Sequence, residues 1–220
     1  MWSRLSFRTK GSPVNDTQTI VRTGRKFDQV LRGAREVFLR DGFGGASMDD
    51  IARQARVSKA TVYSYFPDKR HLFVEILTAE CNRMADQTLN AIDEDAPIKD
   101  VLCFAAGQLV RFLVSDFAQR VFRICMAEAD RFPELGRAYY NCGPRMGRAR
   151  MVEFFQTAID RGDLEIDDLP LAAEQFSELC KTRLWTLAAF GIQSDFTDAE
   201  IDEVVEAAVN TFLARYGRKA

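Results

Sequence analysis

The chain has 220 residues, of which 47% are hydrophobic and 28% are charged, and its formal net charge is −2. This length can hold one small domain and one larger helical domain. No apolar run in the first two dozen residues is long enough for a secretory signal, and none elsewhere approaches the roughly 18 residues of a membrane span, so neither is expected.

Residues 1–24 are polar, rich in Arg and Lys, and without hydrophobic periodicity, and they include Gly11, Ser12 and Pro13. We therefore predict a flexible basic N-terminal arm. Two interpretations of this arm stay open. It could lie along a nucleic-acid backbone or enter a minor groove, or it could be a disordered tail that makes no contact.

The segment from Phe27 to Phe38 predicts the first helix. Its apolar residues recur with a period near 3.6, and Gly42 follows in the position of a glycine that ends a helix. This helix is expected to pack across the two shorter helices that come next.

The segment from Ser47 to Lys69 predicts two short helices joined by a tight turn. Ser47 with Asp50 forms a capping box for the first helix, and Ser58 is a natural N-cap for the second. The second helix should end at Phe66, because a proline follows and biases the residue before it away from helical geometry. A further helix should begin near Asp68.

The outward face of the second short helix carries chemistry that suits nucleic acid. One ammonium, two hydroxyls and two phenols are exposed there, and such groups can contact phosphate oxygens, base edges and thymine methyl groups. The alternative is a small helical hairpin with a solvated polar face. The helix-forming residues concerned are Lys59, Thr61, Tyr63, Ser64 and Tyr65, with Lys69 as a further cation beyond the turn.

These motifs resemble the tetracycline-repressor (TetR) family of DNA-binding regulators. The resemblance rests on residues 38–43, on residues 47–52, on residues 57–66, and on Lys69 followed by Leu72 and Phe73. Arg56 departs from the family's usual glycine in the turn, and Ala46 departs from its usual threonine. The predicted contacts with double-stranded operator DNA are Ser47, Arg56, Lys59, Ala60, Thr61, Tyr63, Ser64, Tyr65 and Lys69.

Charge divides the chain in the same way. Residues 1–72 carry 14 Lys and Arg against 7 Asp and Glu, whereas residues 73–220 carry 16 against 25. The first part is therefore strongly basic and the second strongly acidic, which fits a DNA-binding head on a soluble body. We predict a helix-turn-helix DNA-binding domain at 25–72 and a helical regulatory and dimerisation domain at 73–220, in an all-α fold.

Beyond residue 80 the pattern is helical throughout, with helices expected at 98–115, 117–132, 134–160 (broken at Gly143 and Pro144), 170–190 and 199–216. The last two carry more apolar residues than one internal core needs. They predict a homodimer through an intermolecular four-helix bundle; the alternative is that they complete the internal core. The predicted interface residues are Leu184, Trp185, Ala188, Val205, Ala208 and Phe212.

Aromatic residues are abundant in the middle helices. Most such residues are ordinary core, but a helical bundle lined by rings and a few polar groups is also how an apolar ligand pocket is built. The predicted pocket residues are Phe104, Phe112, Phe122, Cys125, Tyr139, Phe154, Phe155, Phe176, Cys180 and Trp185. Residues 131–137 and 173–176 also resemble the C-terminal domain of AefR-type regulators within the family.

The five cysteines are widely spaced, and the chain has a single histidine, His71. This excludes the common zinc patterns and favours a reducing cytoplasm, so no metal or cofactor is expected. No catalytic set can be proposed on spacing, so an enzyme is not expected. Together with the predicted dimer and pocket, the resemblance to the TetR family implies a homodimeric repressor that is released from a pseudo-palindromic operator by a largely apolar small molecule. The alternative is a DNA-binding regulator that is constitutive or redox-responsive.

Overall fold

The computed structural model describes residues 24–93 and 96–218, and the predicted basic arm therefore lies almost wholly outside the described residues. The described residues are all-α, as predicted from the sequence. The helices are α1 (Arg25–Gly45), α2 (Met48–Gln54), α3 (Lys59–Tyr65), α4 (Lys69–Ala91), α5 (Ile98–Leu113), α6 (Asp116–Ala127), α7 (Pro133–Tyr140), α8 (Met146–Asp160), α9 (Leu169–Leu179), α10 (Leu184–Ala189) and α11 (Asp198–Tyr216). A π turn (Asn141–Arg145) joins α7 to α8.

Helix α1 packs across α2 at a glycine. A Cβ added to Gly33 would lie 2.8 Å from the Cβ of Ala55, closer than two carbon atoms can approach. Glycine at this position therefore allows the two helices to cross in contact. At the other end of α1, Gly42 has a φ of 69°, which favours glycine and breaks the regular helix as the sequence predicts.

The short helices begin and end where the sequence predicts. The Ser47 hydroxyl accepts from the backbone N–H of Asp50, and the Ser58 hydroxyl accepts from that of Thr61. Helix α3 ends at Phe66, which is extended in front of the proline. Asp68 then caps α4 by accepting from two backbone N–H groups. These caps fix α3 between two sharp turns.

The core of the head continues into the body. One cluster of buried side chains runs from Phe27 in α1 through Leu72 in α4 to Leu135 in α7. A second cluster lies in the C-terminal helices, where the rings of Phe155 and Phe212 stack with centroids 5.0 Å apart. The head is thus joined to the body by packed apolar side chains.

The structure corrects the bounds of two predicted helices and confirms the break expected in a third. The helix expected to run to Phe132 ends at Ala127, and Pro133 begins α7 at its first turn, where a missing N–H costs nothing. The break expected at Gly143 and Pro144 takes the form of the π turn. The helix expected at 170–190 is divided into α9 and α10, because Arg183 adopts a left-handed conformation with a φ of 65°.

The structure also corrects the predicted dimer interface. The predicted residues of α10 and α11 other than Trp185 are nearly inaccessible within a single chain, with exposures between 1% and 5%. They complete the internal core, which was the alternative interpretation of the surplus apolar face. The residues concerned are Leu184, Ala188, Val205, Ala208 and Phe212.

In the described ranges, no single helix has the length and apolar character needed to cross a membrane; α5 and α6, bent by 58°, meet those criteria only as a pair.

Candidate nucleic-acid interface and ligand cavity

Helix α3 exposes one face and buries the other. Val62 is fully buried under the helix, whereas Lys59, Tyr63 and Ser64 are exposed. Tyr63 is 46% exposed, and the Lys59 ammonium lies 6.0 Å from the centroid of its ring. We call the predicted contacts of this region, of which Thr61 and Tyr65 are half-buried and the others exposed, the reading surface: Ser47, Arg56, Lys59, Ala60, Thr61, Tyr63, Ser64 and Tyr65.

Lys59 is held at the surface by a carboxylate. Its Nζ lies 2.7 Å from Asp49 Oδ1, and both side chains are more than half exposed. The hydrogen bond to Asp49 raises the pKa of the Lys59 ammonium above its ordinary value. The ammonium therefore stays charged, and a DNA phosphate would replace Asp49 as its partner.

The hydroxyl groups of α3 already have local partners. The Oγ atoms of Ser58 and Thr61 lie 2.8 Å apart, and the Ser64 hydroxyl donates to the Thr61 carbonyl at 2.7 Å. The Tyr65 ring packs edge-on against Phe27, with centroids 5.5 Å apart. Tyr65 thus helps to anchor α3 on α1, and Tyr63 presents the more accessible phenol.

Two arginines flank the turn between α2 and α3. Arg56 is exposed and has a φ of 54°, so the left-handed backbone expected at the family's glycine position is present. Arg53, which was not among the predicted contacts, has a side chain that is 77% exposed and an ion pair with Asp50 at 2.9 Å. The sequence signal for Arg53 is its position in the last turn of α2, next to the turn that leads to α3.

Lys69 differs from the expectation of a cation facing DNA. Its Nζ donates to the carbonyl oxygens of Phe43, Ala46 and Gly44, at 2.7, 2.9 and 3.4 Å. An ammonium has three N–H donors, and all three have a protein acceptor here. Burial lowers the pKa of Lys69 below its ordinary value. The side chain therefore fastens α4 to the end of α1.

A cavity of about 520 Å³ lies in the body beside α4. Its wall includes Leu77 and Cys81 of α4, side chains of α5 and α6, the π turn, and the first half of α8. α9 and α10 close it on the far side. Helix α4, which follows the reading surface in the chain, therefore forms part of the cavity wall.

Aromatic rings form one side of this cavity. The Phe122 ring lies 5.2 Å from that of Trp185 and 5.9 Å from that of Tyr139, measured between centroids. Burial raises the pKa of the Tyr139 phenol to about 12, so this group is a neutral hydroxyl at physiological pH. The predicted pocket residues that line the cavity are Phe112, Phe122, Tyr139 and Trp185.

The other predicted pocket residues are placed elsewhere, which corrects that part of the prediction. Phe155 and Phe176 are buried in the C-terminal core, and Phe104 is 37% exposed. These residues were chosen by ring type and helical spacing, which do not distinguish a cavity wall from a filled core. The residues that do not line the cavity are Phe104, Cys125, Phe154, Phe155, Phe176 and Cys180.

Sequence reasoning missed most of the cavity's polar lining. Gln119, Arg148, Arg150 and Glu174 all contribute to the wall. Gln119 is the one polar residue classed as buried among the described residues, at 4% exposure. A glutamine next to the apolar positions of α6 was the available signal.

The described residues contain no cluster of His, Cys, Asp and Glu that could hold a metal ion. Burial raises the pKa of the Cys125 and Cys180 thiols to about 12. Cys81 and Cys142 hydrogen-bond to each other in the cavity wall, and the pKa of Cys81 is raised. The hydrogen bond with Cys81 lowers the pKa of the Cys142 thiol. Thiolates, which are the form that reacts with oxidants, are therefore disfavoured at Cys81, Cys125 and Cys180 but not at Cys142.

This arrangement of a reading head and a helical body matches known proteins. Residues 100–218 match the AefR-like transcriptional repressor C-terminal domain, and residues 30–76 match the bacterial regulatory proteins of the tetR family. The chain belongs to the TetR family. Its members and relatives are transcriptional regulators, which are not enzymes.

Solved structures of TetR-family proteins share the fold over nearly the whole chain. A TetR-family regulator from Mesorhizobium loti is 32% identical with a TM-score of 0.79, over 88% of this chain and 98% of that one. The flavonoid-responsive regulator FrrA is 36% identical with a TM-score of 0.75, over 90% of this chain and 100% of that one.

Curated TetR relatives match over shorter regions. The transcriptional regulator LuxR of Vibrio harveyi is 29% identical over 109 residues, which is 50% of this chain and 48% of that protein. The chain thus spans about half the length, or less, of the curated relatives it matches. Those matches support membership of the family but do not identify the regulated genes or the effector.

Proposed function

We propose that the chain is a homodimeric repressor that binds a pseudo-palindromic operator through α2 and α3 and is released by a largely apolar small molecule. The observation that carries this proposal is the cavity of about 520 Å³, whose wall includes α4. Helix α4 begins at Asp68, beside the reading surface, and reaches the cavity at Leu77. One rigid element therefore connects the ligand site with the DNA-binding site.

The body contacts the head at further points that would follow a movement of α4. The Phe43 ring at the end of α1 lies 5.2 Å from the ring of Phe132, in the segment before α7. Arg120 of α6 donates to the carbonyl of Leu39 at 2.9 Å. A shift of the cavity wall would therefore reach α1 as well as α4, and would change the angle at which the head lies on the body.

Two copies of the chain are needed to read an operator. Helix α3 has seven residues, so one copy contacts only a few base pairs. A twofold dimer places two such helices in major grooves about 34–36 Å apart, which gives a pseudo-palindromic site. A ligand that changes the separation of the two heads would then weaken binding.

The dimer contact is proposed at the end of α10 rather than in the core of α10 and α11. Phe190 is 78% exposed and Ile192 is 71% exposed, and the two are neighbours in the chain. The outward residues of α11, such as Asp202 and Glu206, are acidic and do not offer a comparable apolar contact. Burying Phe190 and Ile192 against a second copy would remove this apolar surface from water.

The effector is proposed to be a largely apolar compound of the size that the cavity admits. Similarity to the flavonoid-responsive regulator FrrA supports flavonoids as the first class to test. A hundredfold loss of operator affinity requires the effector to prefer the released dimer by about 2.7 kcal/mol. Control by thiol oxidation is not supported at Cys125 and Cys180, where burial raises the pKa of the thiols. Such control would have to act at the hydrogen-bonded pair Cys81 and Cys142, in which the pKa of Cys142 is lowered.

The test begins with selection of operator sequences from a random DNA pool. Fluorescence anisotropy on the selected operator then measures release by a flavonoid panel. Phe122→Ala should reduce the response, because Phe122 lines the cavity, whereas Phe104→Ala should not, because Phe104 lies outside it. If no compound of an apolar and aromatic panel binds the wild-type protein or releases DNA, the ligand-responsive part of the proposal is wrong.

A further inference from the structure

Two polar groups in the cavity wall lack hydrogen-bond partners. Gln119 Oε1 and Arg150 Nη1 are each buried, and neither meets an acceptor or donor of the protein. Both residues line the same cavity, although they belong to different helices, α6 and α8. Both atoms are covered by surrounding side chains in this structure. Buried polar groups are normally paired, so two unpaired atoms on residues of one cavity wall point to hydrogen bonds that a ligand completes when these side chains turn towards it.

The orientation of the Gln119 carboxamide is fixed by its other end. Its Nε2 donates to the carbonyl of Leu113 at 2.6 Å, which the oxygen atom of the carboxamide could not do. The unpaired atom is therefore an acceptor. It requires a ligand group that donates, such as a hydroxyl or an N–H.

Arg150 requires the opposite chemistry. Its Nη2 lies 3.5 Å from the Asp86 carboxylate of α4, and its Nη1 is the unpaired atom. A guanidinium remains charged at physiological pH and only donates. An oxygen acceptor satisfies Nη1, and an anionic oxygen does so best.

The remaining charged groups of the cavity already have partners. Arg148 is paired with Glu174, and Lys181 is paired with Glu178 at 2.5 Å. These groups therefore select a ligand less strongly than Gln119 and Arg150 do.

We propose that the effector is a planar aromatic compound with a hydrogen-bond donor for Gln119 and an acidic oxygen for Arg150, and this rests on the proposed ligand-responsive function. The rings of Phe122, Tyr139 and Trp185 contact its aromatic body. Hydroxylated aromatic acids and acidic phenols have this combination. Purely hydrocarbon ligands lack both polar contacts and bind more weakly.

The test uses planar probes that differ in one group at a time. Naphthalene, 2-naphthol, 2-naphthoate and 6-hydroxy-2-naphthoate supply every combination of donor and acid, and the same four substitutions on stilbene cover a longer separation. Calorimetry on the wild-type dimer should show that the hydroxyl and the carboxylate each increase affinity by about tenfold on at least one scaffold. Equal affinity for all four compounds on both scaffolds would overturn the proposal.

Variants assign each preference to its residue. In Gln119→Met the preference for the hydroxyl should be lost and that for the carboxylate kept, and in Arg150→Met the reverse should hold. Arg150→Lys should restore part of the carboxylate preference, which a purely structural role would not predict. Each comparison is between the affinities of different ligands for the same variant, and circular dichroism verifies that this variant is folded. A loss of stability alone therefore does not produce a change in ligand preference. Preferences that survive both Met variants would contradict the proposal.

Operator release is measured separately with the same probes. If the probes bind with the expected selectivity but leave operator affinity unchanged, the proposed release by a ligand is refuted. The proposed ligand contacts of Gln119 and Arg150 are then still supported. If compounds release the operator but bind equally well to the wild type and to the Gln119 and Arg150 variants, the proposed function is retained and the proposed recognition site is refuted.

Discussion

At the scale of single residues, two lysines of similar sequence context have different roles. Lys59 is exposed and paired with Asp49, whereas Lys69 donates to three backbone carbonyls at the end of α1. Both are cations beside a helix-turn-helix element, and the sequence alone assigned both to DNA. Only the folded path of α1 shows that carbonyl oxygens surround the Lys69 ammonium.

Lys69→Met is expected to destabilise the protein by about 1–3 kcal/mol, because it leaves buried carbonyl groups without a donor. Urea unfolding measures the loss. Lys59→Met provides the matched control, since it removes the same ammonium from an exposed ion pair and should change stability much less. Equal effects of the two substitutions would show that the contacts of Lys69 contribute little.

Lys59→Ala should weaken operator binding and reduce the slope of log affinity against log salt by about one, because one phosphate contact and its released counterion are lost. Asp49→Asn should leave the slope unchanged and increase affinity modestly, since the ammonium no longer needs to leave a carboxylate. Anisotropy titrations at several salt concentrations measure both. A slope that does not change in Lys59→Ala would show that this lysine faces away from the DNA.

Asp68 links the capping of α4 to pH. Burial is the largest single influence on its carboxyl group and opposes ionisation, but the hydrogen bonds from Arg70 and His71 together outweigh it and lower the pKa well below the usual range. The unfolded chain therefore takes up a proton first as pH falls. The stabilisation by Asp68 is complete above the ordinary carboxyl pKa and is lost as pH decreases towards the lowered value.

Asp68→Asn should thus flatten the dependence of unfolding free energy on pH below about pH 4, while the amide still caps the helix. Asp41→Asn is the control, because the pKa of Asp41 is also lowered, by its hydrogen bond with Arg40, but that pair is at the surface. Its effect should be smaller because solvent screens it. Denaturation midpoints from pH 2 to 7 distinguish the two.

At the scale of helices, the turn before α3 combines strain with an exposed cation. Arg56 has a φ of 54°, a conformation that glycine adopts without cost. Arg56→Gly should therefore stabilise the protein by up to about 1 kcal/mol and, if the guanidinium contacts a phosphate, weaken operator binding. Thermal unfolding and operator titration should move in opposite directions. Arg56→Ala, which keeps the strain but removes the charge, should weaken binding without the gain in stability.

The elements with strong local signals were predictable, and those set by packing were not. Ser47, Ser58 and Pro67 define α2 and α3 through caps and backbone restriction, which act within a few residues. The division between α9 and α10 at Arg183 carries no such signal, since neither glycine nor proline marks it. Tertiary contacts select the break there.

The cavity shows the same limit. Helical periodicity placed rings such as Phe122 and Phe155 on inward faces, but only the packing of several helices decides which inward ring meets a cavity and which meets another ring. The sequence pattern of α6 does not distinguish the buried Gln119 from a polar residue that faces solvent. A polar residue within an apolar stripe is thus a better indication of a ligand site than another aromatic.

At the scale of the whole molecule, the proposed function requires two basic heads to be held about one helical turn of DNA apart. The apolar residues first predicted for this role are buried in a single chain, so the contact has to use surface that one chain leaves open. Phe190 and Ile192 are the most exposed large apolar side chains among the described residues. Both follow α10 in the body, outside the helices that carry the reading surface.

Phe190→Glu combined with Ile192→Glu should convert the protein to a monomer, because two carboxylates would then be desolvated in each half of a symmetric contact. Sedimentation velocity measures the change, and operator affinity should fall with it. Leu89→Glu is the matched control: this residue is 51% exposed on α4 and should leave the dimer intact. If the double variant sediments as a dimer, the two chains meet at another surface. If it is monomeric yet binds a full operator as tightly as the wild type, dimerisation is not what positions the two reading helices.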